Sequence, residues 1–323
     1  MPTTEGAARV RAAGPAEPAA PRAVNRRTPG RAPVIAVLTQ LAIWVPLGLT
    51  ALQVVGFTIW TTWVSFTPST LLPESGFVGL RNYVRVMRTP NLQIAYVNLV
   101  IFGVGFVLLT SALGLLLAVL LDQRVRGENV LRTIFLYPLA VSFVVTGTVW
   151  SWLLNPGIGI QRLVNNFGWT GFRFDWIVQP DRAIYTLIIA GAWQGAGFAM
   201  ALFLAGLRSV DSDLVKAAQI DGAGPWRMYR RVLLPTIWPI FITVAAILLQ
   251  FAIKTFDLVR ALTEGGPGIS TMLPAVVVYD FMFQRSELGR GAAVAVLMLL
   301  TLVVVVAPFG IYLRLRARRQ ARA

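Results

Sequence analysis

The chain has 323 residues, 56% of them hydrophobic and 13% charged, with no cysteine and no histidine. Several apolar runs exceed the roughly 18 residues that read as a membrane helix, so a soluble domain is excluded. Disulfides, histidine metal sites and histidine general bases go with the missing residue types. The net charge of +15 would suit a nucleic acid, but the arginines gather in loops between apolar runs, on one side of a membrane. No nucleic-acid partner is expected.

In chain order, residues 1–33 are rich in Ala, Pro and Arg without apolar periodicity and read as a disordered basic cytoplasmic tail. Val34 to Trp63 is the first membrane helix, too long for a cleaved signal. Ser65 to Gln93 is a loop and Ile94 to Leu121 the second helix. Asp122 to Asn129 is a charged turn, and Val130 to Leu154 the third helix, kinked at Pro138. Asn155 to Asp181 is an outer loop with an amphipathic piece, Ile160 to Phe167. Its aromatic run, Trp169 to Trp176, suits the headgroup level. Ile184 to Leu207 is helix four, and Leu233 to Phe256 helix five. Leu258 to Glu287 is a second outer loop, and Leu288 to Leu313 helix six. Residues 314–323 form a basic cytoplasmic end. With the N-terminus inside, 19 of the 29 Lys and Arg fall on the cytoplasmic side, as the positive-inside rule requires.

The polar stretch Asp211 to Pro235, DSDLVKAAQIDGAGPWRMYRRVLLP, separates helices four and five. Its charges must leave the bilayer, because each would cost several kcal/mol inside it. Asp211 or Ser212 can cap a helix from Asp213 to Ile220. Gly222 can end it with a positive φ, and Pro225 can open the next helix in its first turn. A second amphipathic piece, Trp226 to Val232, carries Arg227, Arg230 and Arg231, and Pro235 marks the junction with the next span. Helix, tight turn, helix across a membrane face suits a knob that docks into a groove on a partner.

Here the residues carry a resemblance. KAAQIDGAGPWRMYRRVLLP resembles the EAA loop of ABC-importer permeases. Ala217, Ala218, Asp221, Gly222, Ala223, Tyr229, Leu234 and Pro235 fall at the family spacing, and Lys216 stands where the family usually has Glu. FVGLRNY (Phe77 to Tyr83), LLNPG (Leu153 to Gly157) and TEGGPG (Thr263 to Gly268) extend the likeness to the carbohydrate-type branch, and two longer stretches are similar to glucose/mannose permeases. The resemblance implies an all-α membrane protein, six transmembrane helices with a cytoplasmic helix-turn-helix coupling loop, in the type I ABC importer permease fold. It also implies a multi-pass subunit of a bacterial cell inner membrane, surrounded by lipid, with both termini cytoplasmic. The expected partners are a second, different permease subunit, an ATP-binding subunit dimer and an extracytoplasmic sugar-binding protein.

No G-x-x-x-x-G-K-[ST] phosphate loop is present, and the two lysines, Lys216 and Lys254, follow no such loop. ATP and Mg are therefore expected on the partner ATPase subunits, with no cofactor, no metal site and no catalytic residue on this chain. For a polyol, the candidate contacts are Gln194 and Phe198 on helix four, and Phe251, Lys254, Thr255 and Asp257 on helix five. Lys254 and Asp257 are i,i+3 and are expected on one helix face, and intramembrane charges commonly mark a pathway. Trp193 reads as a further contact or an interface anchor, with Ser142 and Thr146 as lesser candidates. An ion-coupled secondary transporter would need more carboxylates in its spans than Asp257 and an inverted repeat. An embedded enzyme would need an acid/base or metal constellation that the sequence does not offer. Within the family reading, an oligosaccharide or glycerol phosphate is the alternative substrate.

Overall fold

The structure, a computed structural model, describes residues 32–123 and 125–320; the expected basic tail lies outside them apart from residues 32 and 33. The chain divides into two units at Gly56. The helices are α1 (Ala32–Ser65), α2 (Arg81–Met87), α3 (Pro90–Asp122), α4 (Glu128–Ala140), α5 (Phe143–Leu154), α6 (Ile160–Asn166) and α7 (Ala183–Arg208). They continue with α8 (Ser212–Ile220), α9 (Pro225–Met228), α10 (Leu234–Thr236), α11 (Trp238–Lys254), α12 (Asp257–Leu262), α13 (Pro274–Tyr279) and α14 (Leu288–Gln320). Among the described residues there is no β-strand. Four helices are long and apolar enough to cross a membrane, and two bent pairs bring the number to six.

In the first unit, residues 40–56 belong to one face-less apolar helix whose side chains are exposed all round. A helix apolar on every side is what a lipid or another membrane helix can surround. In the second unit, α3 and α7 form the centre. Phe102, Phe106, Leu187, Met200 and Phe203 are buried there. Close approach depends on small residues: a Cβ on Gly114 would lie 2.5 Å from the Ala199 Cβ. Membrane helices commonly gain contact in this way, since apolar burial alone gives little advantage in lipid.

The third span is broken rather than kinked. α4 and α5 meet at 96°, and the break falls at Val141 and Ser142, three residues beyond Pro138. Proline stands in the last turn of α4, where its missing N–H weakens continuation. Ser142 then caps α5, its hydroxyl accepting the Val145 N–H at 3.3 Å. The fifth span also departs from expectation. It starts at Trp238, not Leu233, and the preceding limb, Pro225–Thr236, meets it at 65°. Pro235 and Pro239 flank the bend at Ile237 and each removes a helix donor. The span ends at Lys254, not Phe256.

Two stretches expected as loops hold helices. In the first, Asn82 on α2 is buried and donates to the Ser65 and Thr67 carbonyls at 2.9 and 2.8 Å. In the second, α12, α13 and a π-helical continuation, Asp280–Gln284, pack into the protein. The TEGGPG turn between them is closed by Thr271, whose hydroxyl pairs with that of Thr263 at 2.7 Å and donates to the Gly266 carbonyl at 2.9 Å. The last helix runs on past Leu313 to Gln320, so most of the basic end is helical.

Candidate functional site

The polar stretch between α7 and α11 forms the expected elbow. Asp211 caps α8 by accepting the Asp213 N–H at 2.9 Å. At the other end the Ala223 N–H reaches the Ala218 carbonyl and the Gly222 N–H the Gln219 carbonyl, both at 3.0 Å. That pair of bonds is a Schellman stop, which needs a left-handed residue between them. Gly222 supplies it with φ +76°. Pro225 then opens α9 in its first turn, where a missing N–H costs nothing.

The elbow has two sides. Val215, Ala218, Ala223, Tyr229 and Val232 pack against the central core. Lys216, Ala217, Asp221, Gly222 and Pro235 face outward. Two large apolar side chains do so as well: Ile220 is 85% and Trp226 76% exposed. Lys216 pairs with Asp213 at 2.9 Å, a surface ion pair that contributes at most about 1 kcal/mol.

The root of the elbow is tied to the spans by charges that are not among the candidate site residues. The Tyr229 hydroxyl donates to Asp122 Oδ2 at 2.7 Å. Arg208 pairs with Glu128 at 2.8 Å, approaches Asp122 at 3.9 Å and donates to the Leu121 carbonyl at 3.4 Å. Asp122 and Arg208 are the last residues of α3 and α7, and Glu128 is the first of α4. The sequence signal was available: each is a charge at the end of an apolar run.

The candidate sugar-facing residues separate into two groups. Phe198 on α7 and Phe251 on α11 meet edge to face, ring centroids 6.0 Å apart. Thr255 closes α11, its hydroxyl donating to the Phe251 carbonyl at 2.9 Å. Lys254 and Asp257 do not share a helix face, contrary to expectation. α11 ends at Lys254 and Asp257 begins α12, because Thr255 turns to an extended backbone. Both are exposed, and no ion pair joins them. Gln194 is 2% exposed, and its amide nitrogen donates to the Val141 carbonyl at 2.7 Å. Its Oε1 has no partner among the described residues, and neither has the buried hydroxyl of Thr146. Trp193 packs edge-on to Trp150, ring centroids 6.1 Å apart. Among the described residues no three His, Cys, Asp or Glu come together as a metal site would need.

With this geometry in hand, the likeness to known proteins becomes specific. Residues 110–320 match the family model "Binding-protein-dependent transport system inner membrane component". A probable ABC transporter permease protein of Pyrococcus horikoshii is 36% identical over 238 residues, which cover 73% of this chain and 82% of that protein. The xylose/arabinose import permease protein XacH of Haloferax volcanii is 32% identical over 77% of this chain and 80% of its own. The trehalose/maltose transport system permease protein MalF of Thermococcus litoralis is 31% identical over 72% and 79%. In fold, the chain is similar to the crystal structure of a bacterial ABC transporter involved in alginate import. The TM-score is 0.67 over 88% of this chain and 94% of that one, at 19% identity. The matched region contains the elbow, the broken third span and both aromatic-bearing helices.

Proposed function

Since this chain belongs to the family of binding-protein-dependent transport system inner membrane components, we propose that it carries a sugar across the membrane as one permease subunit of an ABC importer. A monosaccharide of the glucose/mannose kind is the favoured cargo. Relatives named for xylose/arabinose and for trehalose/maltose support a sugar, and one named for sn-glycerol-3-phosphate keeps that ligand as the alternative. An anion would call for clustered Arg beside Phe198 and Phe251, and α11 carries none.

The elbow is the observation that carries this reading. Its inner side is fixed to the core, and its outer side presents Ile220 and Trp226 to water. Exposed aromatic and aliphatic side chains on a rigid projection are what a groove on an ATPase subunit would grip. Force applied there passes along α9 and α10 into α11, and through Ser209 and Val210 into α7. Rocking of these two helices would open the space beside Phe198 and Phe251 to one face and then the other. The two rings would meet the CH surface of a sugar. Lys254, Thr255 and Asp257 would serve its hydroxyls, and Gln194, whose amide nitrogen holds the Val141 carbonyl, would offer its Oε1, which has no partner among the described residues.

ATP and Mg would be held by the partner ATPase subunits, and a second permease subunit would complete the path. An extracytoplasmic binding protein would deliver the sugar, with both termini of this chain in the cytoplasm. The test is uptake into vesicles that hold the assembled importer, with ATP inside and one sugar at a time outside. ATP-dependent accumulation of glucose or mannose is expected. Accumulation of glycerol phosphate alone, or uptake driven by an ion gradient without ATP, would refute the proposal.

A further inference from the structure

We infer that Asp122 is the clasp through which movement of the elbow reaches the second and third spans, with Tyr229 and Arg208 as its positioning residues. This rests on the reading of the elbow as the part gripped by the ATPase. Covalently, the elbow is continuous only with α7 and α11. The second and third spans are not attached to it, so some contact must carry its displacement to them.

The side chains at the elbow's root supply that contact. Asp122 ends α3, 107 residues before Tyr229 in the chain, and accepts the hydrogen bond of the tyrosine hydroxyl at 2.7 Å. Its other oxygen faces the Arg208 guanidinium at 3.9 Å. Arg208 holds Glu128, the opening residue of α4, at 2.8 Å and the Leu121 carbonyl at 3.4 Å. One carboxylate and one guanidinium thus join the cytoplasmic ends of three spans to the limb that leads into the fifth. A hydrogen bond to a charged group is stronger than a neutral one and depends more sharply on geometry.

Tyr229 is also the first residue of the π-helical stretch Tyr229–Leu233. The wider turn adds a residue to the helix, and such bulges recur at functional positions. Met228 and Leu233, on either side, are buried. The limb is therefore held by packing on both sides of a hydroxyl that grips a different span. Packing alone would hold the limb in place; the charged hydrogen bond makes α3 follow it.

The experiment uses the assembled importer with Tyr229→Phe and Asp122→Asn. The first removes only the hydroxyl, and the second keeps the volume and an acceptor while removing the charge. Since the chain has no cysteine, a spin label can be placed singly through Ala217→Cys or Gln123→Cys. Each is read against a label on a partner subunit, with and without ATP. In the wild type both positions should move with ATP. In Tyr229→Phe the elbow should still move, the end of α3 should lag, and sugar uptake per ATP hydrolysed should fall about tenfold, within the usual range of coupling between sites. Asp122→Asn should lie between the two. If Gln123 moves fully in both variants and uptake per ATP is unchanged, the clasp is refuted. If Tyr229→Phe fails to assemble, Asp122→Asn decides alone: unaltered uptake per ATP refutes the clasp, and a several-fold fall supports it. Absence of any ATP-driven movement of Ala217 in the wild type would instead refute the reading of the elbow.

Discussion

Gln194 and Val141 are joined across 53 positions of sequence by a 2.7 Å hydrogen bond from the glutamine amide to the valine carbonyl. The carbonyl stands where the third span breaks. In lipid there is no water to satisfy it, so a freed backbone acceptor needs a partner from the protein. Gln194→Leu should therefore destabilise the chain by about 0.6–2 kcal/mol, the range for polar bonds between membrane helices. Thermal unfolding in detergent measures this, and an unchanged midpoint would show that the break stands without the glutamine.

Gly222 adopts φ +76° with nothing within 4 Å of a Cβ built on it. Any penalty for a larger residue is then a backbone penalty. Gly222→Val should cost about 1–3 kcal/mol in a left-handed position, abolishing uptake while membrane insertion and expression persist. Gly222→Asn, which tolerates that conformation, should retain most uptake. Equal uptake in the two variants would show that the turn does not depend on glycine.

Lys254 and Asp257 lie on separate helices. Asp257→Ala should lower sugar uptake more than assembly, and so should Lys254→Ala. The double variant should show the sum of the two effects within about 0.5 kcal/mol, as for sites that do not touch. A larger interaction energy would mean that the two charges pair during transport.

Phe198 and Phe251 touch edge to face. Their double-mutant cycle for stability should give a coupling of about 0.5–1.5 kcal/mol. Sugars of different ring size should respond differently to Phe251→Leu if these rings meet the cargo. Proportional loss for every sugar would assign Phe251 to packing.

Trp226→Ala and Ile220→Ala should each weaken capture of the ATPase subunit at least about fivefold, as buried apolar anchors do. The purified chain by itself should hydrolyse no ATP. Hydrolysis without partners would contradict the division of labour between subunits.

The elbow was legible because its signals are local. Asp211, Gly222 and Pro225 act within a few residues, and each does in the structure what its side chain predicts. The six apolar runs were legible by length. What escaped depends on distant partners. Pro138 announced a disturbance, but the right angle sits at Val141, whose freed carbonyl Gln194 meets, and that meeting has no local signature. The i,i+3 spacing of Lys254 and Asp257 assumed an unbroken helix, and Thr255 ends it. α2, α12 and α13 looked like loops because their runs are too short to span a membrane. Asn82 draws α2 into the fold through the Ser65 and Thr67 carbonyls, and Asn98 on α3 holds the stretch between α12 and α13 through the Met272 carbonyl at 3.0 Å.

One dimension of the second span has a mechanical consequence. α3 has 33 residues, roughly 50 Å at 1.5 Å per residue, against a hydrocarbon layer of about 30 Å. It must lean or protrude, and Gly114, where α3 closely approaches Ala199, divides it into a short arm ending at Asp122 and a longer one ending at Pro90. If α3 leaned about that close approach, the tip at Asp122 would swing little and the Pro90 end further. Under the proposed function, a modest displacement of Asp122 would be magnified at the Pro90 end of the helix.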